Sequence, residues 1–139
     1  MKEKKSRPRL TELAKTIGFE IVEFTKGKCV VECIITENHL NMGGVVHGGI
    51  HATMLDTAMG GTLVSTLKEE EWCATAQLDI SYINPAKLGE KLNASASVVR
   101  RGRNLAHLEG NLVSEENQLI ATAKGTWAIW VSKTTENDR

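Results

Sequence analysis

The segment Asn41-Met42-Gly43-Gly44-Val45-Val46-His47-Gly48-Gly49 opens onto the apolar run Ile50 to Asp56, and this junction holds the chain's best candidates for chemistry. Ile50, Met54, Leu55, Ala58 and Leu63 recur at helical spacing and demand a buried face. A carboxylate inside such a run costs stability unless something offsets it, so Asp56 asks for a partner or a task. Hydrogen bonding to backbone or to Thr53, one turn earlier, would be the structural answer; service as a general base or nucleophile would be the chemical one. The start of the same helix offers backbone N–H groups without intrahelical partners at the positive end of the dipole. Gly48 and Gly49, lacking side chains, let a carbonyl oxygen come close to those donors.

The surrounding elements follow from periodicity. Thr11 to Ile17 reads as a short amphipathic helix that Gly18 ends. Phe19 to Lys26 and Lys28 to Thr36 alternate apolar and polar residues around Lys26-Gly27-Lys28, predicting an antiparallel hairpin. A glycine-rich loop from Asn41 and one long helix from about His47 to Leu67 come next, and Lys68-Glu69-Glu70-Glu71 reads as a solvated loop. Strands are expected at Cys73 to Ile83, Lys91 to Arg100, Leu105 to Ser114 and Gln118 to Val131, separated by turn residues. One long helix followed by a meander predicts an α+β domain in which the sheet curls around the helix to cover its apolar face. Gly60 and Gly61 weaken the helix and make sense where a strand crosses close by.

The 139 residues, 41% of them hydrophobic, suit one globular domain. A formal net charge of +0, from 17 basic and 17 acidic residues, argues against a nucleic-acid partner. Cys29, Cys33 and Cys73 form an odd set without paired metal-ligand spacing, which predicts reduced thiols in a cytoplasmic protein. The basic Met1 to Arg9 leads into a stretch too short and too interrupted for a signal or membrane segment, and reads as a solvated terminus.

Other constellations are weaker. The paired glycines lack the lysine and the serine or threonine that a phosphate-binding loop requires. His47 and His51 are one turn apart, but no third metal ligand is evident. Arg100, Arg101 and Arg103 cluster around Gly102, as either a solvated hairpin tip or a grip for phosphates. Trp72, Trp127 and Trp130 are candidates for a pocket wall, but Trp127 and Trp130 sit on the last strand and read first as packing or interface residues.

The order of two strands, Asn41-x5-His47-Gly48-Gly49, a helix with Asp56 nine residues after the histidine, then Tyr82-x-Asn84-Pro85-Ala86 before a meander, resembles the hotdog-fold acyl-CoA thioesterases of the PaaI-like branch. The likeness covers about Phe19 to Val131. It implies a hotdog fold, a curled antiparallel sheet around one central helix, with residues 1–18 as an N-terminal extension, 19–132 as the domain and 133–139 as a tail. It implies hydrolysis of an aryl- or medium-chain acyl-CoA, with coenzyme A as part of the substrate and no separate cofactor or metal. By position, Gly48 matches the glycine whose N–H polarises the thioester carbonyl, Asp56 the catalytic carboxylate, and Asn41 the residue that positions thioester or water. Thr75, seven residues before Tyr82, matches by counting a hydroxyl that orients water with the acid. His47 counts among the site residues, more for loop structure than for chemistry. Arg101, Gly102 and Arg103 become candidates for the phosphates of coenzyme A. The family pairs subunits, so at least a homodimer is expected, with a homotetramer as the full assembly, and Asp56 would face Gly48 of its partner.

Two rival functions share the fold. Hydratases and dehydratases need a differently placed acid and histidine pair. A non-catalytic acyl-CoA binding module would keep the pocket without turnover, but the segment before Phe19 is too short for an attached DNA-binding unit, and Asp56 with Asn41 favours catalysis.

Overall fold

Period-two alternation of buried and exposed side chains is clearest in the strand Leu105–Ser114, where Ala106, Leu108, Gly110 and Leu112 are buried and their neighbours face outward. In the computed structural model, which describes residues 8–132, this strand is one of six. The strands are β1 (Phe19–Thr25), β2 (Lys28–Ile34), β3 (Glu71–Tyr82), β4 (Lys91–Arg101), β5 (Leu105–Ser114) and β6 (Leu119–Val131). They form a single antiparallel sheet in the order β1-β2-β4-β5-β6-β3. Residues 1–7, most of the basic terminus, and the 133–139 tail lie outside the described residues.

Helix α2 (Gly48–Val64) lies on the apolar face of this sheet, against β2, β4, β5 and β3. It buries Met54, Leu55, Ala58, Met59 and Leu63 completely. Each of the larger side chains contributes about 1.5–3 kcal/mol by leaving water. Close approach depends on glycine from both sides. A Cβ at Gly61 would lie 2.5 Å from Cys29 Sγ on β2, and one at Gly110 on β5 would lie 2.9 Å from Met59. The expected strand crossing is therefore β2 passing Gly61. At Gly60 the nearest group is the Trp127 indole, at an ordinary 3.5 Å. This is the hotdog arrangement, α+β with one helix wrapped by one sheet.

Two details differ from the sequence-based expectation. Helix α2 ends at Val64, not Leu67, because hydroxyls compete for the last carbonyls: Ser65 donates to Thr62 O at 2.6 Å and Thr66 to Leu63 O at 2.7 Å. Ser65 Oγ also accepts the Gly27 N–H at the β1–β2 turn. Glu71, expected in a solvated loop, begins β3, where its carboxylate accepts the Lys68 N–H at 2.9 Å and pairs with Arg101. Trp127 is core, whereas Trp72 and Trp130 are cross-strand neighbours exposed together.

The N-terminal helix α1 (Glu12–Ile17) is capped by Thr11 and ended by Gly18 at φ +90°. It is not detached from the domain: Ala14 belongs to the core, and buried His39 bonds through Nε2 to Ile17 O. Among the described residues no helix is long and apolar enough to cross a membrane. Cys29 and Cys33 are buried, Cys73 is half-buried, and the three form no disulfide.

Candidate active site

The loop that carries Asn41 is tied off from within. A 3-10 turn at Glu37–His39 precedes it, with His39 Nδ1 accepting the Thr36 N–H at 2.9 Å. The Asn41 N–H donates to Val45 O at 2.7 Å, and Gly44 takes φ +80°, a conformation suited to glycine. The side-chain oxygen of Asn41 accepts from the Gly43 N–H at 2.8 Å and the Val45 N–H at 3.3 Å. Its acceptor is thereby committed to the loop. Its amide nitrogen, exposed and without a partner among the described residues, remains a donor for whatever binds there.

His47 caps α2. Its Nδ1 accepts the Gly49 N–H at 2.8 Å, and its backbone N–H donates to His39 O at 2.8 Å. Gly48 is the first helical residue, so no carbonyl one turn back reaches its N–H. The structure adds a neighbour that spacing alone did not reveal. Tyr82, at the end of β3, donates its hydroxyl to Gly48 O at 2.8 Å.

Asp56 lies half-buried on α2 and accepts from the Thr75 hydroxyl at 2.7 Å. Register slips between Thr75 and Gln77, a β-bulge in β3, and such an extra residue re-aims a side chain. The match made only by counting thus brings Thr75 to the carboxylate. Thr53 is not Asp56's partner, since its hydroxyl donates to Gly49 O. One carboxylate oxygen of Asp56 stays without a protein partner among the described residues.

Gly48 and Asp56 are not brought together within one chain. Eight residues separate them along α2, about 12 Å of helix rise. A concavity of about 660 Å³ lies on the opposite face of the sheet, lined by polar residues including Asp79, Ser95, Glu109, Asn111 and Lys124, and it touches none of the candidate residues.

His51, one turn into α2, is buried with both ring nitrogens unpartnered among the described residues, and stacks on Tyr82 with centroids 5.6 Å apart. Burial pushes its pKa below the ordinary value of 6.5. Among the described residues no group of three His, Cys, Asp or Glu converges as a metal site would require.

The arginine cluster is divided. Arg101 forms an ion pair with Glu71, whose carboxyl is held below its usual range by the Lys68 N–H first and by Arg101 after it. Gly102 closes the β4–β5 turn by donating to Leu105 O at 2.7 Å. Arg100 and Arg103 are exposed and make no ion pair among the described residues.

Residues 43–121 match the model of the thioesterase superfamily. The chain is 32% identical over 107 residues to human acyl-coenzyme A thioesterase 13, covering 76% of each protein. It is 38% identical over 85 residues to a putative esterase of Caenorhabditis elegans, covering 61% of this chain and half the length of that protein. The PaaI protein of E. coli, from the phenylacetic acid degradation operon, superposes with a TM-score of 0.82 over 90% of this chain and 88% of that one, at 23% identity, a likeness of fold. With a hydroxyl-bonded carboxylate on α2 and, at its start, a glycine N–H without a partner among the described residues, this chain belongs to the thioesterase superfamily, a hotdog-fold family of thioester hydrolases.

Proposed function

We propose that the protein is an acyl-CoA thioesterase that hydrolyses aryl- or medium-chain acyl-CoA to the free acid and coenzyme A. The Gly48 N–H is the donor that meets the developing oxyanion, and such a donor is worth about 3 kcal/mol in the transition state. Asn41, whose free group is an N–H donor, supplements it or holds the water. Asp56 acts as base: it takes a proton from water as the oxygen attacks the carbonyl carbon, the C–S bond breaks, and the proton passes to the leaving sulfur. Attack by Asp56 itself, giving a mixed anhydride that water then opens, uses the same geometry. The single observation that carries the reading is the Thr75 to Asp56 hydrogen bond of 2.7 Å, which fixes one carboxylate oxygen and leaves the other for chemistry.

The working unit is a homodimer. A donor and a base must both lie near one reacting atom, and the ~12 Å rise between Gly48 and Asp56 forbids that within one helix. A site built from one chain's Gly48 and its partner's Asp56 removes the difficulty. Strand β3, twelve residues long at the sheet edge, is available for pairing with another copy. By the family likeness, dimers associate further into a tetramer. The reduced cysteines fit work in the cytoplasm. Arg100 and Arg103 are available to the phosphates of coenzyme A, and Arg101 joins them only by leaving Glu71.

The test is thiol release from a panel of aryl- and acyl-CoA thioesters by the wild-type protein and by Asp56→Asn. Turnover by the wild type, with kcat reduced at least about 100-fold in the variant, is the expected result. Binding without release from any thioester would instead establish an acyl-CoA binding module.

A further inference from the structure

We infer that Tyr82, backed by His51, is a positioning residue that anchors Gly48, bonding the carbonyl of the Gly48–Gly49 peptide and covering the Gly48 Cα, and so fixes the residue whose N–H, in the preceding His47–Gly48 peptide, points at the thioester carbonyl. The inference rests on the thioesterase reading for its catalytic consequence, while the geometry stands apart from it.

Gly48 is poorly placed to hold itself still. It has no side chain, and as the first residue of α2 its N–H lacks an intrahelical acceptor, so its backbone is held only through its neighbours: His47 O accepts the Ile50 N–H at 2.9 Å and the His47 ring accepts the Gly49 N–H at 2.8 Å. An oxyanion donor works by being oriented in advance. Tyr82 adds a constraint at Gly48 itself in two ways. Its hydroxyl donates to Gly48 O at 2.8 Å, using a lone pair that the helix leaves over. Its ring also packs on the glycine itself: a Cβ at Gly48 would meet the Tyr82 hydroxyl oxygen at 3.1 Å and ring carbons at 3.2 Å. The need for glycine at this position thus comes in part from the tyrosine that covers it.

Tyr82 is itself 55% exposed and would swing freely without a backing. His51 provides it, one turn along the same helix, with ring planes inclined by 30°. Because neither nitrogen of His51 has a hydrogen-bond partner among the described residues, the imidazole acts here as a flat wall. Strand β3, through Tyr82, is thereby locked to the first turn of α2 at two points, Gly48 and His51.

The experiment compares Tyr82→Phe, His51→Phe and His51→Ala with the wild type in thiol-release kinetics, and follows the Gly48 amide by NMR on protein labelled with 15N-glycine. Loss of the hydroxyl in Tyr82→Phe should lower kcat roughly 10- to 100-fold while KM stays within about 2-fold. His51→Phe keeps a flat ring and should remain near wild type, whereas His51→Ala should follow Tyr82→Phe. The two losses should not add in the double variant. The Gly48 amide signal should move in Tyr82→Phe and His51→Ala while distant glycines such as Gly27 and Gly89 stay in place. Wild-type kcat in Tyr82→Phe, or an unmoved Gly48 signal, overturns the inference. If the wild type releases no thiol, the thioesterase reading fails, and the Gly48 signal still decides the positioning.

Discussion

Thr75 on β3 donates its hydroxyl to Asp56 on α2 at 2.7 Å, joining residues 19 apart in the chain. The bond exists because a bulge in β3 adds a residue beside Thr75 and turns its side chain toward the helix. Without a hydroxyl at this point, Asp56 would be a half-buried carboxylate with neither oxygen held.

Thr75→Val keeps the shape and removes the donor. It should reduce kcat about 10-fold or more, within the range for a group that assists acid–base catalysis. Thr75→Ser should retain most of the rate. Steady-state thiol release on one good substrate distinguishes these outcomes, and equal rates in all three proteins would deny Thr75 a role.

A composite site predicts complementation. Asp56→Asn and Asn41→Ala chains are each expected to be nearly inactive. Mixed and refolded together, they should regain turnover, since one of the two sites in a mixed dimer receives neither change. Sedimentation at micromolar concentration should find a dimer or a larger assembly. A monomer, or no recovery on mixing, would place the whole site in one chain.

Adjacent glycines of α2 should respond to alanine with opposite signs. At Gly61 the new Cβ would stand 2.5 Å from Cys29 Sγ, an overpacking expected to cost about 1–3 kcal/mol. At Gly60 the nearest atom is at 3.5 Å, so the gain in helix propensity, up to about 1 kcal/mol, should prevail. Urea unfolding of the two variants gives both values directly.

Acid should destabilise the fold in two steps. Burial holds the pKa of His51 below 6.5, so as pH falls under that value the unfolded chain takes up a proton that the folded one resists. Stability is therefore complete above about pH 6.5 and declines below it. Glu71 adds a later loss: its carboxyl is held below 4.5, so the stability it confers, present above that pH, disappears as pH drops through its folded value. Unfolding midpoints measured from pH 8 to pH 2 should show both steps, and His51→Phe should remove the first alone.

Local order was legible in the sequence. Period-two alternation located the strands, helical spacing located α2, and glycine and hydroxyl chemistry marked α2's start and the turns. The isolation of Asp56 in an apolar helix and the unpaired donors at Gly48 are likewise properties of short segments. What residue patterns by themselves could not yield is everything that depends on register between distant strands; Thr75 was matched to the acid only through the family likeness, by counting. The bulge that delivers Thr75 to Asp56, the capture of Arg101 by Glu71 at the far end of the sheet, and the placing of Tyr82 over Gly48 each join residues separated by 19 to 34 positions. Periodicity says which face a side chain occupies; a slip of one residue in pairing reverses that face and changes every partner. Those contacts were therefore decided by how β3 aligns with β6 and packs on α2, a choice made by the whole core at once.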